Sequence, residues 1–336
     1  MKVRKLSGLV LVSITLALFL IPGCQLDGSP AGLGPANETE TSAVPAGPPS
    51  YLLPTEDGGV IPPRPQAGRE PAQTGQVTVE RDIGIFEFVP AEIETVRPDI
   101  FQPGHFSLFD ILVHLDVRGD IDLEYHFETS MDTHIIDSIN GETDWWYYAY
   151  YSGGWVETNV FRMDMYPYKD GTTFRLIDRN PAEIEKIYQT FREEVSRLEM
   201  NNGAVIIPEV TISSEDFTLE FQDVLVEAHD IRSDVLRPGV ITAMDILLSL
   251  LEQGALSRLK LTWYGDIGGA DPVDSYWTEQ INESIARGSC GFVYETGPLD
   301  FEGFTGSHIH IPSDVRAIVS PEYAFWWWIC IGRPYL

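Results

Sequence analysis

The sequence is poor in cysteine, poor in positive charge and empty of the short signatures of catalysis. Three Cys in 336 residues are too few for a disulfide-built scaffold. Lys and Arg number 22 against 51 Asp and Glu, a net charge of −29. Such an acidic chain (pI ≈ 4.4) excludes nucleic acid as a partner, because phosphate recognition needs basic patches that release counterions. No Gly-x-Ser-x-Gly, His-Glu-x-x-His, phosphate-cradling glycine loop or dinucleotide fingerprint occurs. The expectation is a non-enzymatic protein without a cofactor. A carbohydrate-active enzyme stays open as a weaker alternative, since 51 acids make chance carboxylate pairs inevitable. What is abundant is aromatic: eight Trp, fourteen Tyr and sixteen Phe exclude wholesale disorder.

The N-terminus carries the one long apolar run. Lys2, Arg4 and Lys5 precede the apolar stretch Leu6 to Ile21, and Leu20-Ile21-Pro22-Gly23-Cys24 follows. This is the layout of a secretory signal. Its end resembles the lipobox of bacterial lipoproteins, with Cys24 as the lipidated residue. The run is short for a membrane span, which needs about 20 residues. Residues 1–23 are therefore expected to be removed, taking three cations and no acids and moving the charge from −29 to −32. The mature chain is expected in the cell envelope, outside the cytoplasm, held to the membrane by acyl chains on Cys24. Residues 24–76 hold ten prolines among Gly, Ser, Thr and Ala, the composition of a semi-stiff spacer.

The remainder contains a duplication. Arg97-Pro98-Asp99 through Pro103-Gly104 to Asp110-Ile111-Leu112 reappears as Arg232-Ser233-Asp234 through Pro238-Gly239 to Asp245-Ile246-Leu247 at a constant offset of 135. Upstream, Val77-Thr78-Val79 and Val210-Thr211-Ile212 open strand-like runs. Downstream, Leu123, Tyr125 and Phe127 alternate as Leu259, Leu261 and Trp263 do, the period of a strand. Pro-Gly predicts a turn; Ser107 and Thr242 are candidate helix caps, with Asp110 and Asp245 three residues later in capping-box spacing. Each Asp is thus read as starting a helix. Between the repeats, Asn180-Pro181 opens a stripe of Ile184, Ile187, Tyr188, Phe191, Val195 and Leu198, closed by Asn201-Asn202-Gly203. A long amphipathic helix is predicted there, with Glu193 and Arg197 paired on its exposed face.

The run Ile135-Ile136-Asp137-Ser138-Ile139-Asn140-Gly141, then Asp144-Trp145-Trp146-Tyr147-Tyr148-Ala149-Tyr150 and Gly153-Gly154-Trp155, resembles the bacterial transcobalamin C-terminal-like domain family. The likeness covers residues 77–178. The second repeat lacks the Trp-Trp-Tyr-Tyr signature. The resemblance implies an α+β fold of two tandem β-grasp-like modules and a binding role, with a corrinoid (cobalamin) as the sharpest ligand expectation. The expected organisation is a signal at 1–23, lipidated Cys and tether at 24–76, a first module at 77–178, a linking helix at 179–203 and a divergent second module at 204–336.

Trp145, Trp146, Tyr147, Tyr148, Tyr150 and Trp155 are the candidate ligand-binding residues, because a strand puts alternate rings on opposite faces. One face suits the core; the other either packs on a helix or stacks on a flat ligand or sugar. His308 and His310 would share a strand face but fall short of the three or four ligands a metal needs. Asp266, Asp271 and Asp274 offer oxygen ligands without the EF-hand spacing. Cys290 and Cys330 are either a disulfide or two separate thiols. The leading expectation is a lipid-anchored module that captures a small ligand. The alternative is an adhesive envelope component that recognises protein or polysaccharide.

Overall fold

The Pro-Gly turns and helix caps of the two repeats open two α-helices in the same structural setting, and the chain folds as α+β around them. The computed structural model describes residues 50–53, 74–151, 160–265, 274–298 and 311–330. The predicted signal and Cys24 lie outside them. Residues 47–336 cluster as one compact unit. Among the described residues no helix is long and apolar enough to cross a membrane.

The segment read as a spacer contributes one strand, β1 (Ser50–Leu53). The first repeat follows with β2 (Gly75–Val79), β3 (Gly84–Phe88), α1 (Leu108–Arg118), β4 (Leu123–Glu128), β5 (Thr133–Ile139), β6 (Trp145–Tyr151) and β7 (Thr172–Asp178). Its main sheet has the order β3-β2-β7-β6, with β2 and β7 parallel and the outer pairs antiparallel. β4 and β5 form a separate hairpin. Then come α2 (Pro181–Met200), β8 (Val205–Ser213), β9 (Thr218–Val226), α3 (Ala243–Glu252), β10 (Leu259–Tyr264), β11 (Ser275–Ile281), β12 (Ser284–Ile285), β13 (Cys290–Gly297) and β14 (Tyr323–Cys330). The second main sheet reads β9-β8-β14-β13, again with a parallel central pair. The two repeats thus share one strand order. They differ at the second hairpin, where β1 and β12 extend β10-β11 to four strands.

The helix starts obey the same local chemistry. Gly104 (φ 85°) and Gly239 (φ 89°) turn the chain through the left-handed region before each helix. The backbone N–H of Ser107 and of Thr242 each donates to the Asp three residues on, at 2.6 Å in both cases. Each hydroxyl donates to the same oxygen, at 2.7 and 2.8 Å. The other carboxylate oxygen takes a backbone N–H from the preceding loop, Val96 at 2.7 Å and His229 at 3.0 Å. Asp110 and Asp245 therefore pin strand exit to helix entry. His229 is drawn into this knot: its Nδ1 lies 3.1 Å from Asp245 and its Nε2 3.2 Å from Glu252. Burial opposes a charge on the ring, but the Asp245 bond and the two carboxylates outweigh it and raise the His229 pKa. A raised folded-state pKa contributes stability that is complete below the unfolded value, about 6.5, and is lost as pH rises through the folded value. Denaturant titrations of the wild type should show that loss on passing upward through neutrality. The His229→Gln variant should show a flatter profile over the same range.

Two cores form under the sheets. Leu108, Ile111, Leu112 and Leu115 of α1 share one core with Val77, Val79, Phe174 and Leu176 of the sheet. α3 is buried along Ala243 to Leu251, as its apolar circumference requires. Ile311, Val315, Ala317 and Val319, from the second repeat in sequence, complete the first core. Phe101 and Leu236, equivalent residues of the two repeats, face each other in an antiparallel bridge. Around it Gln102 N donates to Val235 O (2.9 Å) and Arg237 N to Ile100 O (2.8 Å), while Gln102 Nε2 reaches Ser233 O (3.1 Å) and Arg237 Nε reaches Pro98 O (3.0 Å). Each contact is repeated at equivalent positions. The repeats thus meet through a self-complementary patch, like two subunits of a twofold dimer.

Each repeat also holds a buried ion pair. Arg97 Nη1 bonds Asp164 at 3.1 Å and its Nη2 bonds Asp99 at 2.8 Å. Arg232 Nη1 bonds Asp314 at 2.7 Å and its Nε bonds Asp234 at 3.0 Å. Both guanidinium groups lie over a ring, Phe127 at 5.6 Å and Trp263 at 5.2 Å. Asp164 further accepts from Thr133 Oγ1 (2.6 Å) and His134 N (3.0 Å), and lies 2.9 Å from His134 Nδ1. Burial would raise its pKa, but the His134 bond and the Arg97 charge prevail and hold the carboxyl below its ordinary range. The Asp314 carboxylate takes Tyr276 N at 2.9 Å, the counterpart of the His134 N bond.

Candidate functional site

The Trp-rich strand β6 alternates as its sequence demands, but on both faces its first rings, Trp145, Trp146 and Tyr147, are buried. Tyr147 is fully buried, donates its hydroxyl to Phe161 O at 2.7 Å and meets the rings of Tyr166 and Phe174. Trp145 is buried, donates Nε1 to Glu142 O at 2.7 Å and lies under the Arg81 guanidinium at 4.7 Å. Trp146, on the opposite face, is buried against Tyr188 and Phe191 of α2. The expectation of a ligand-stacking face is therefore corrected at Trp145, Trp146 and Tyr147. The apolar stripe of α2 occupies the face that the strand pattern alone leaves open. A cavity of about 10 Å³ between β5, β6 and α2 is the size of one water. Tyr148 is half-buried, and Tyr150 stands opposite Thr173 in the ladder. Trp155 lies outside the described residues.

α2 itself begins as its sequence predicts, with Asn180 Oδ1 accepting from Ala182 N at 2.9 Å. Its expected Glu193–Arg197 pair is not formed. Glu193 instead accepts from Gln189 at 2.8 Å, and Arg197 donates to Ser320 O at 2.9 Å. The second repeat outcompetes an exposed helical pair because it supplies a fixed backbone acceptor. Asp266 and Asp271, like His308 and His310, lie outside the described residues. Asp274 is described at the start of β11, its N–H on Gly265 O at 3.3 Å. Among the described residues no three His, Cys, Asp or Glu side chains converge as metal ligands do.

A different place offers room. A groove of about 250 Å³ is lined by Glu215, Asp216, Glu283, Ser284, Ile285, Ala286, Arg287 and Trp328. Three chain segments build it. The β8–β9 turn is closed by Ser214, whose hydroxyl oxygen accepts from Asp216 N (3.1 Å) and Phe217 N (3.2 Å). Ser284 of β12 ties its own segment to that turn through Ser214 Oγ (3.0 Å) and Asp216 Oδ2 (3.2 Å). Arg287 and Glu215 form an exposed ion pair at 2.6 Å. The third segment is β14, which places Trp328 opposite Phe292 with the rings edge to face at 5.1 Å. Cys290 and Cys330, facing residues at the end of the same strand pair, are joined in a disulfide. It fixes β14 two residues from Trp328.

The groove has unmet bonding capacity. Trp328 Nε1 is buried and has no hydrogen-bond partner among the described residues. An indole nitrogen only donates, so what it lacks is an acceptor. The lining carries three carboxylates and one guanidinium. The run Trp326-Trp327-Trp328 stands out in the sequence, but the acids of the groove do not. They sit in turns about 70 residues apart, and no spacing rule joins them. The chain matches no family model, curated protein or solved structure in the comparisons made.

Proposed function

We propose that the chain is a lipid-anchored, extracytoplasmic binding protein without catalytic activity. Two tandem β-grasp-like modules joined by α2 present the Trp328 groove to a small hydroxylated ligand such as a sugar ring. The common strand order around a parallel central pair supports the β-grasp reading. Leu20 to Cys24 supports the anchor. The observation that carries the ligand class is the orphaned Nε1 of Trp328, a residue that lines the groove together with Glu215, Asp216 and Glu283.

A buried donor left unsatisfied costs about 1–3 kcal/mol, so an acceptor in the groove recovers that amount. A carboxylate accepts only. A hydroxyl is a neutral group whose single oxygen serves both, accepting from the indole and donating to the acid. A sugar ring presents several hydroxyls and an apolar face for the indole. The groove, at about 250 Å³, lies just below the range of enclosed drug-sized sites, roughly 300–1,000 Å³. It suits one ring of a saccharide rather than a corrinoid, and so favours the polysaccharide-recognition alternative over cobalamin capture.

Calorimetric titration of the mature protein with neutral mono- and oligosaccharides, and separately with cobalamin, tests this reading. A saccharide Kd of roughly 0.1–1 mM is expected, equivalent to about −5.5 to −4 kcal/mol, weakened at least about tenfold in a folded Trp328→Ala variant. Saccharide binding untouched by that variant, or cobalamin binding alone, would contradict it. Metabolic labelling with an acyl-chain analogue should mark the wild type and leave Cys24→Ser unlabelled; equal labelling would remove the anchor from the account.

A further inference from the structure

The β4 edge of the first hairpin is the counterpart of an edge that the chain fills for itself in the second. There β1 pairs antiparallel with β10, setting Tyr51 opposite Leu261 and Leu53 opposite Leu259. Among the described residues β4 pairs only with β5. The hairpins are otherwise alike. Phe127 meets His134 edge to face at 5.0 Å, as Trp263 meets Tyr276 at 5.1 Å. Yet Leu261 and Trp263 are 1% and 3% exposed, whereas Tyr125 and Phe127 are 37% and 45% exposed. An unpaired strand edge flanked by large exposed rings is a template for another strand.

We infer that the β4 edge takes an extended segment of another polypeptide by strand addition, in the manner of β1 on β10. The register fixes its chemistry. Apolar residues belong opposite Leu123 and Tyr125, the positions that Leu53 and Tyr51 face in the second repeat. The intervening residue faces Glu124 where Leu52 of β1 faces Lys260, so the exchange of a cation for an acid selects a basic residue. A second copy of β4 is a poor occupant: antiparallel pairing centred on His126 sets Glu124 against Glu128 of the other copy, a like-charge contact. Backbone bonds would supply affinity and alternate side chains specificity.

The test uses a synthetic peptide of residues 48–55 carrying Leu52→Lys, added to the full chain and followed by amide hydrogen exchange. Exchange is expected to slow at Leu123–Glu128, with no change in a control peptide that also carries Tyr51→Pro. The Glu124→Lys protein should lose the Leu52→Lys peptide and bind one carrying Leu52→Glu instead. No binding at about 1 mM peptide would overturn the inference. So would protection confined to β10, showing displacement of β1, or indifference to the charge swap.

Discussion

Replacing Asp164 with alanine is expected to lower unfolding stability by about 3–5 kcal/mol, read as a shift in the urea midpoint at constant m-value. Asp164 is fully buried and accepts from Arg97, Thr133 and His134, so its loss removes a buried acceptor from three residues at once and, among the described residues, leaves Arg97 with only the more exposed Asp99 and Asp132 as counter-charges. The worst placed of the three is Arg97, itself 3% exposed and unable to shed its charge. Removing one partner of a buried pair costs far more than the pair contributes, because desolvation of the survivor is no longer offset. Asp99 is the control. It bonds the same guanidinium, but its side chain is 60% exposed, and Asp99→Ala should cost at most about 1 kcal/mol. Asp314→Ala should resemble Asp164→Ala, since Arg232 is equally enclosed. The sign with pH follows from the lowered Asp164 pKa. Its contribution is present above the unfolded carboxylate value and is lost as pH falls through the folded one. Because the second repeat completes the first core, each variant should unfold in a single transition. Two separated transitions would mean that the repeats are energetically independent.

The second large effect belongs to the disulfide. Cys290 and Cys330 enclose a separation of 40 residues, for which chain-entropy arguments give about 4 kcal/mol. The variant with both Cys290→Ser and Cys330→Ser should melt well below the oxidised wild type, and a thiol reductant should bring the wild type down towards it. The consequence is functional as well. Among the described residues β13 is an edge strand that pairs in the sheet with β14 only, and Trp328 and Phe292 lie two residues inside the bridge. Fraying at that end would open the groove's wall. Ligand affinity should therefore fall in the double variant even under conditions where it remains folded. Unchanged affinity would separate the groove from the disulfide.

The parts of the fold that were legible in the sequence are those in which one residue type does a backbone job. Arg97-x-Asp99, Pro103-Gly104 and Ser107-x-x-Asp110 recur at a constant offset because turn, cap and guanidinium anchor tolerate little else. The α+β class and the helix start at Asn180 follow from the same kind of signal. Asp164 and Asp314 escaped because they stand 150 residues apart rather than 135, one in a single 3-10 turn and the other in a loop turn, and only the folded chain shows what they bind. The period-2 pattern of Trp145 to Tyr151 identifies a strand but cannot say which face is covered. That depended on where α2 would dock, and an apolar stripe carries no address. The groove was the least legible. Glu215, Asp216 and Glu283 look like ordinary solvated turn residues, and only the folded chain brings them into one groove with Trp328.

That indole N–H gives the most direct measurement. In ¹⁵N-labelled protein the Trp328 Nε1–H resonance can be assigned by its disappearance in Trp328→Phe. Titration with the saccharide that binds in calorimetry should move this resonance downfield, the mark of a newly formed hydrogen bond, and leave the indoles of buried Trp145 and Trp146 in place. A saturating ligand that leaves the Trp328 resonance unmoved would contradict the assignment of the groove as the binding site.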